Sequence, residues 1–382
     1  MAADQILITG ADGYMGSRVA RRYLEATDAR LLLWMRARSA DEGLKKQNAL
    51  ERSLESRFGD AGLRDARHCE AKRRVQFAWG DLEDEEPFAG LDPRPISAIV
   101  HSAAVIRFNV EEGPAHRINV AGTEKLLRFA TRCPALEAFG LLSSVYASGL
   151  RSGSIAEAPC DGKAGFANHY ERSKWESEMR MLEGYASLPW KVCRLATAIA
   201  DDEQGRIVQY NAFHNTLKLF YYGLMSLVPG HAETPLYFIT GDFAAEAVFR
   251  LMRTGAVRTH FHISHAKRDS ITLGRLVDTA FSEFNRDPAF RSRRILPPLF
   301  SDAASFDLLN EGIRSFGGGI VQQSVSSVAP FARQLFVDKD ILNRNLMAAL
   351  GADYHAPDAD ALIRNACRYL AATRWGREAG PA

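Results

Sequence analysis

The chain has 382 residues, 46% of them hydrophobic, which is enough for one large α/β domain and a smaller lobe. A formal net charge of +2, with no segment where basic residues cluster, offers no strong field to nucleic acid or to an acidic membrane surface. The five cysteines (Cys69, Cys133, Cys160, Cys193 and Cys367) show neither a disulfide framework nor zinc spacing, so no metal is expected and a reducing, cytoplasmic setting is.

No basic stretch followed by an apolar one opens the chain, so no signal peptide is expected. No run approaches the roughly 18 apolar residues of a membrane span. The apolar run Leu217–Val228 is short and contains Lys218 and Gly223.

Strand-like and helix-like segments then alternate. Gln5–Thr9 reads as a buried strand, Tyr14–Ala26 as a helix, and Arg30–Met35 as a strand apolar on both faces. Ser39–Phe58 is charged and helix-favouring. Val75–Trp79 and Ala98–His101 are strands, Pro114–Arg132 a helix, Ala138–Ser143 a strand, His169–Ala186 a helix and Lys191–Ala196 a strand. This alternation predicts a Rossmann-type, doubly wound parallel sheet over residues 1–200, with a strand and helix return near 236–265.

Residues 201–382 are expected to form a smaller, mostly helical substrate lobe, partly interleaved with the sheet domain. Within them Ile207–Leu227, Asp242–Thr254, Thr272–Asn285, Asp338–Leu350 and Asp358–Thr373 read as helices. Leu236–Thr240 and His260–Ser264 read as strands. Arg291–Ser301 reads as a loop, Ser315–Ser327 as a linker and Arg374–Ala382 as a frayed tail.

The first strand runs into Thr9-Gly10-Ala11-Asp12-Gly13-Tyr14-Met15-Gly16, a glycine turn between strand and helix. Gly10 permits the tight turn, Gly13 lets the backbone approach a pyrophosphate, and Gly16 lets the helix pack on the strand. The helix N-terminus offers free N–H groups to phosphates. The second strand ends Trp34-Met35-Arg36-Ala37-Arg38, without the carboxylate that would hold a ribose hydroxyl in an NAD site. A guanidinium suits a 2′-phosphate, so NADP(H) is expected, with Arg36 the main contact and Arg38 the second. Asp81 and Leu82 follow the third strand and suit the adenine, although an aspartate here is equally suited to capping a helix. Ser102, Ala103 and Ala104 end the fourth strand and are small enough for a cofactor to lie on the backbone.

Ser144 ends the fifth strand, and His169-Tyr170-Glu171-Arg172-Ser173-Lys174 follows. Tyr170 and Lys174 are four apart and share a helix face. A phenol of pKa about 10 is a weak acid at neutral pH. A neighbouring ammonium would lower that pKa, Ser144 would polarise a carbonyl, and Tyr170 would deliver a proton. Asn119, mid-helix, is either an assisting residue near Lys174 or a satisfied core asparagine. The aromatic segment from Phe213 to Tyr222 suits either a greasy substrate wall or a core helix. Packing or surface roles are expected for His169 and His214.

Four strings carry a resemblance. They are Met35-Arg36-Ala37-Arg38-Ser39, His101–Phe108 with Arg117–Thr123, Tyr170-Glu171-Arg172-Ser173-Lys174-Trp175-Glu176-Ser177-Glu178, and Arg194–Gly205 with Gly241-Asp242-Phe243. Together they resemble the extended short-chain dehydrogenase/reductase superfamily. Within it they resemble the thioester-reductase and fatty acyl-CoA reductase branch, over about residues 4–265. Relatives carry proline and glycine where this chain has Leu195 and Ala200, which bears on the backbone facing the nicotinamide.

The resemblance implies a catalytic set of Ser144, Tyr170 and Lys174, assisted by Asn119. It implies hydride transfer from NADPH to an acyl thioester, free or delivered by an acyl carrier protein in trans, giving aldehyde or alcohol. By the same resemblance the enzyme would be a homodimer. Three other readings remain open at this level: a ketone or aldehyde reductase (or alcohol dehydrogenase) of secondary metabolism, an NAD-dependent sugar-nucleotide epimerase or dehydratase, and a non-enzymatic NADP-binding regulator.

Overall fold

The strand-like runs assemble into one parallel sheet. The computed structural model describes residues 5–55, 73–315 and 329–378. Its central strands are β1 (Gln5–Thr9), β2 (Arg30–Arg36), β3 (Val75–Gly80), β4 (Ile96–His101), β5 (Ala138–Ser144), β6 (Trp190–Leu195) and β7 (Thr259–Ile263). Their spatial order is β7-β6-β5-β4-β1-β2-β3, and each neighbouring pair is parallel. Every residue of β1 and β5 is buried, as a sheet covered on both faces requires. The direction of winding reverses between β1 and β4. A crevice therefore opens beyond their carboxyl ends, where ligands of such sheets bind.

Helices α1 (Tyr14–Ala26), α2 (Ala40–Glu55), α3 (His169–Gly184), α4 (Ala212–Tyr222), α5 (Gly241–Met252), α6 (Leu273–Phe284) and α7 (Ala359–Ala372) surround this sheet or build the second lobe. Two of the hydrophobic cores among the described residues organise these elements. One joins the sheet to α1 and α5 through Val19, Tyr23, Val248 and Phe249. The other packs α4, α6 and α7 through Leu217, Phe220, Leu276, Phe284, Ile363 and Leu370. The chain then returns, since Ile341, Leu346 and Leu350 belong to the first core. Residues from both ends of the chain therefore pack in this core.

Five local expectations are corrected. The helix predicted over Ile207–Leu227 covers only Ala212–Tyr222, because Asn211 caps its start and Gly223, at φ 68°, ends it in the left-handed region. Leu227–Pro229 is instead a strand, paired in parallel with Leu299–Ser301 inside the predicted loop. Asp338–Leu350 begins as a strand, Lys339–Ile341, paired with Gly153–Ile155, before the helix Arg344–Leu350. The stretch 112–130 is helical but passes through a π-helical segment, His116–Ala121. Trp375 is buried against Tyr221 and Phe284, so residues 374–378 are docked and not frayed. Cys69, Phe58 and the linker read over Ser315–Ser327, beyond its first residue, lie outside the described residues.

Candidate active site

The glycine turn follows directly from backbone geometry. Gly10 has φ 65°, and a Cβ there would stand 2.7 Å from the Ala103 backbone. A Cβ on Gly16 would meet the Gly10 carbonyl oxygen at 2.2 Å, so the first turn of α1 rests on the end of β1. Gly13 occupies the N-cap position of α1, and no side chain caps that helix. Its first N–H groups are thus left for a ligand. Thr9 Oγ1 accepts from the Ala103 N–H at 3.3 Å and lies 2.7 Å from His101 Nδ1, which ties the ends of β1 and β4 together. His101 is buried and its pKa is pushed down to about 3 by that burial, with the Lys174 charge adding to the effect. It is a neutral structural residue.

A cavity of about 590 Å³ runs from Gly13, Tyr14 and Met15, past Ser102 and Ala104, to Ser144, Tyr170 and Lys174. Tyr14 spans the two lobes, donating to Asp201 Oδ1 at 3.0 Å and to the Ala200 carbonyl at 3.1 Å. The buried Arg18 guanidinium pairs with the same Asp201 at 2.5 Å.

At the far end of the crevice the expected residues converge. Asn168 caps α3 by accepting from the Glu171 N–H, which places Tyr170 and Lys174 on the buried face. The Tyr170 phenol and the Ser144 hydroxyl line the same cavity, and the Ser144 side chain acts on the phenol. Ser144 Oγ also accepts from the Tyr146 N–H at 3.2 Å, which fixes its position. Lys174 Nζ donates to the Leu142 carbonyl at 2.8 Å. Burial pushes the Tyr170 phenol up to about 12, against the opposing effect of the Ser144 side chain. The expectation was a phenol pKa lowered by the ammonium; here burial dominates and raises it. Burial pulls the Lys174 ammonium down to about 8, with Glu178 resisting.

Other predicted site residues have different partners. Asn119 is buried, accepts from the Val105 N–H at 2.8 Å and donates to the Val105 carbonyl and to Ser173 Oγ. It clamps the loop after β4 onto α3. Its backbone carbonyl accepts from Ser177 Oγ at 2.8 Å, so the π-helical segment is sewn to α3. Arg38 Nε donates to Asp81 Oδ2 at 2.9 Å, and Asp81 Oδ1 accepts from the Glu83 N–H. Both residues therefore have protein partners where a phosphate contact and an adenine contact were expected. Leu82 is buried against Gly122 in the core and is not offered to a ring. Arg36 is exposed at the end of β2. His214 is buried, accepts from the Asn211 N–H and approaches the Ile199 carbonyl, so it holds the start of α4.

Two elements escaped the sequence reading. Lys46 reaches back from α2 to the Arg36 carbonyl at 2.5 Å and lies 3.4 Å from Asp12, bringing a cation to the glycine turn. Tyr146 shares a 3.2 Å hydrogen bond with Thr197 and faces the cavity opposite Tyr170. Among the described residues, no group of three or more His, Cys, Asp and Glu could hold a metal, and no helix is long and apolar enough to cross a membrane.

Fold and site together define a Rossmann-type domain with a glycine turn at one end of its crevice and a serine, tyrosine and lysine at the other. An NAD-binding family model described as male sterility protein matches residues 8–248, and the chain belongs to that family. It is 29% identical over 224 residues to an isonitrile lipopeptide synthase of Streptomyces coeruleorubidus, covering 56% of this chain and 14% of that protein. It is 25% identical over 311 residues to a carboxylic acid reductase of Segniliparus rugosus, covering 72% and 25%. The chain thus spans a quarter or less of the length of these two relatives. Its fold matches the terminal R domain from the myxalamid PKS-NRPS biosynthetic pathway, with a TM-score of 0.75 at 20% identity over 100% of this chain and 93% of that one.

Proposed function

We propose that this chain is an NADPH-dependent oxidoreductase that reduces the carbonyl of an apolar acyl thioester to an aldehyde or alcohol. The acyl group would be carried by coenzyme A or by a carrier protein acting in trans. One observation carries this reading. Ser144, Tyr170 and Lys174 line one cavity together with an apolar wall of Phe220, Met225, Val228, Leu236, Phe238 and Leu276.

The residues present fit a dinucleotide. An uncapped helix N-terminus and the close approaches at Gly10 and Gly16 leave a backbone cradle, and the cavity continues from it to Tyr170. When bound there, NADPH supplies the hydride. Ser144 and Tyr170 hold the carbonyl oxygen between two hydroxyls and so polarise it. Tyr170 keeps its proton at working pH, because burial holds its pKa near 12, and gives it up only as negative charge grows on that oxygen. The Lys174 ammonium, held by the Leu142 carbonyl, stabilises the phenolate left behind. The tetrahedral hemithioacetal then collapses to aldehyde and thiol.

Loss of the reduced-nicotinamide absorbance with acyl-CoA, with one thiol released per NADPH consumed for an aldehyde product or per two for an alcohol, tests this. Turnover of ketones without thiol release would favour the ketone reductase reading instead. The apolar wall speaks against a sugar nucleotide, and the intact Ser144, Tyr170 and Lys174 set speaks against a non-catalytic regulator.

Two expectations follow here. Arg36→Glu should raise KM for NADPH by about tenfold or more and leave KM for NADH nearly unchanged, since charge-assisted hydrogen bonds contribute about 1.5–3 kcal/mol. An unchanged cofactor preference would remove Arg36 from the 2′-phosphate. The second concerns pH. Lys174 is protonated below about 8 and loses its proton above it, so kcat/KM for reduction should fall as pH rises through about 8. Lys174→Arg should retain part of the activity and lose that limb, because arginine does not titrate there. A wild-type profile flat from about pH 7 to 10 contradicts the assignment.

A further inference from the structure

The Glu171 carboxyl, one residue past Tyr170, is fully buried, yet no step of the proposed reaction uses it. One oxygen accepts from Asn168 Nδ2 at 3.1 Å, and the other from the Ala167 N–H at 3.0 Å and from Gln334 Nε2 at 2.8 Å. Gln334 is itself buried. It donates as well to the Gly149 carbonyl at 3.2 Å, while its Oε1 is buried with no hydrogen-bond partner among the described residues. The amide is therefore held by its donor side alone.

Lys339 is bound at the same place. Its ammonium donates to Ser148 Oγ at 2.9 Å and to the Gly149 carbonyl, and its charge acts on Glu171. Asn168 Nδ2 adds a bond to the Pro330 carbonyl at 3.0 Å. Segment 330–339 is thus tied at three points to the elements that carry Ser144 and Tyr170. A ligand-free fold has no evident need for such a concentration of buried polar ties beside a substrate cavity.

What these ties hold in place is Phe331. Its ring stacks on Phe108 at 5.2 Å and 26°, and meets Tyr146 edge-on at 5.1 Å. Phe108 in turn meets Tyr170 edge-on at 5.5 Å. All four rings line the cavity next to Ser144. A carbonyl oxygen bonded by Ser144 and Tyr170 brings its α-carbon against this enclosure. Rings in mutual contact leave little room for a branch there.

The geometry points to Phe331 as a specificity-determining residue that admits straight-chain acyl groups and rejects α-branched ones, with Glu171 and Gln334 as the positioning residues that hold it. This rests on the acyl-substrate reading above, and its test is made independent of turnover. Binding of a straight-chain and an α-methyl-branched acyl-CoA of equal carbon number to the full chain is measured by titration calorimetry, with NADPH oxidation followed in parallel.

Wild type should bind the straight chain about tenfold more tightly, the discrimination that one methyl group gives in a packed apolar pocket. Phe331→Ala should bring the ratio close to one. Gln334→Leu should do the same without touching the ligand, and Lys339→Met is the second variant should the first fail to fold. Arg333→Ala, exposed on the same segment, should leave the ratio as in wild type. A wild-type ratio near one, or an unchanged ratio in Phe331→Ala, overturns the specificity role. Loss of the ratio in Phe331→Ala with full retention in both Gln334→Leu and Lys339→Met overturns the positioning role. Absence of NADPH oxidation by wild type sinks the reductase reading alone, because the binding ratio still decides this inference.

Discussion

Tyr170→Phe should lower kcat for carbonyl reduction by about 10²-fold or more, the size of a lost general acid. The phenol is buried, its ring packs edge-on against Phe108, and the cavity it lines also holds Ser144. Phenylalanine preserves that packing and removes only the proton donor. Cofactor affinity should therefore change little, which separates a chemical loss from a structural one. Wild-type kcat in this variant would remove Tyr170 from the reaction.

Glu178→Ala should destabilise the fold by about 3–5 kcal/mol, the cost of leaving a buried charge without its partner. Glu178 and Arg194 are almost wholly buried and pair at 2.6 Å between Oε2 and Nη2, with Nε adding further contacts. Ser143 Oγ donates to the same carboxylate at 2.5 Å, and His262 Nε2 lies 3.2 Å from Arg194 Nη1. Removing the carboxylate strands the guanidinium in the interior and frees the end of β5 just before Ser144. The shift should appear as an earlier first transition in urea. The double variant Glu178→Leu with Arg194→Met should recover much of the loss, because neither charge then remains buried. A single variant as stable as wild type would contradict this picture of the interior.

The sheet was legible because buried parallel strands read as short apolar runs, and β1, β2 and β5 are of that kind. The glycine turn was legible for a local reason: positions 10 and 16 tolerate no Cβ. Tyr170 and Lys174 were legible from their spacing and their order after Ser144. What stayed hidden is non-local. Beyond its local partners Asn168 and Ala167, Glu171 is held by Gln334, 163 residues away, and feels the charge of Lys339, and nothing in the sequence around those two announces it. Asn119 was open between an assisting residue and a satisfied core asparagine, and its actual partners, Val105 and Ser173, are non-local. The helix expected over Ile207–Leu227 is cut short by end signals that lie inside that run. Asn211 and Gly223 were both in view and mark the true helix.

The most direct test follows the hydride itself. NADPH deuterated at the transferring position of the nicotinamide is incubated with a straight-chain acyl-CoA, and the product is read by mass spectrometry. The account predicts deuterium on the former thioester carbon, in wild type and not in Tyr170→Phe over the same interval. Deuterium absent from that carbon while the thioester is consumed, or label transferred equally by both proteins, would contradict it.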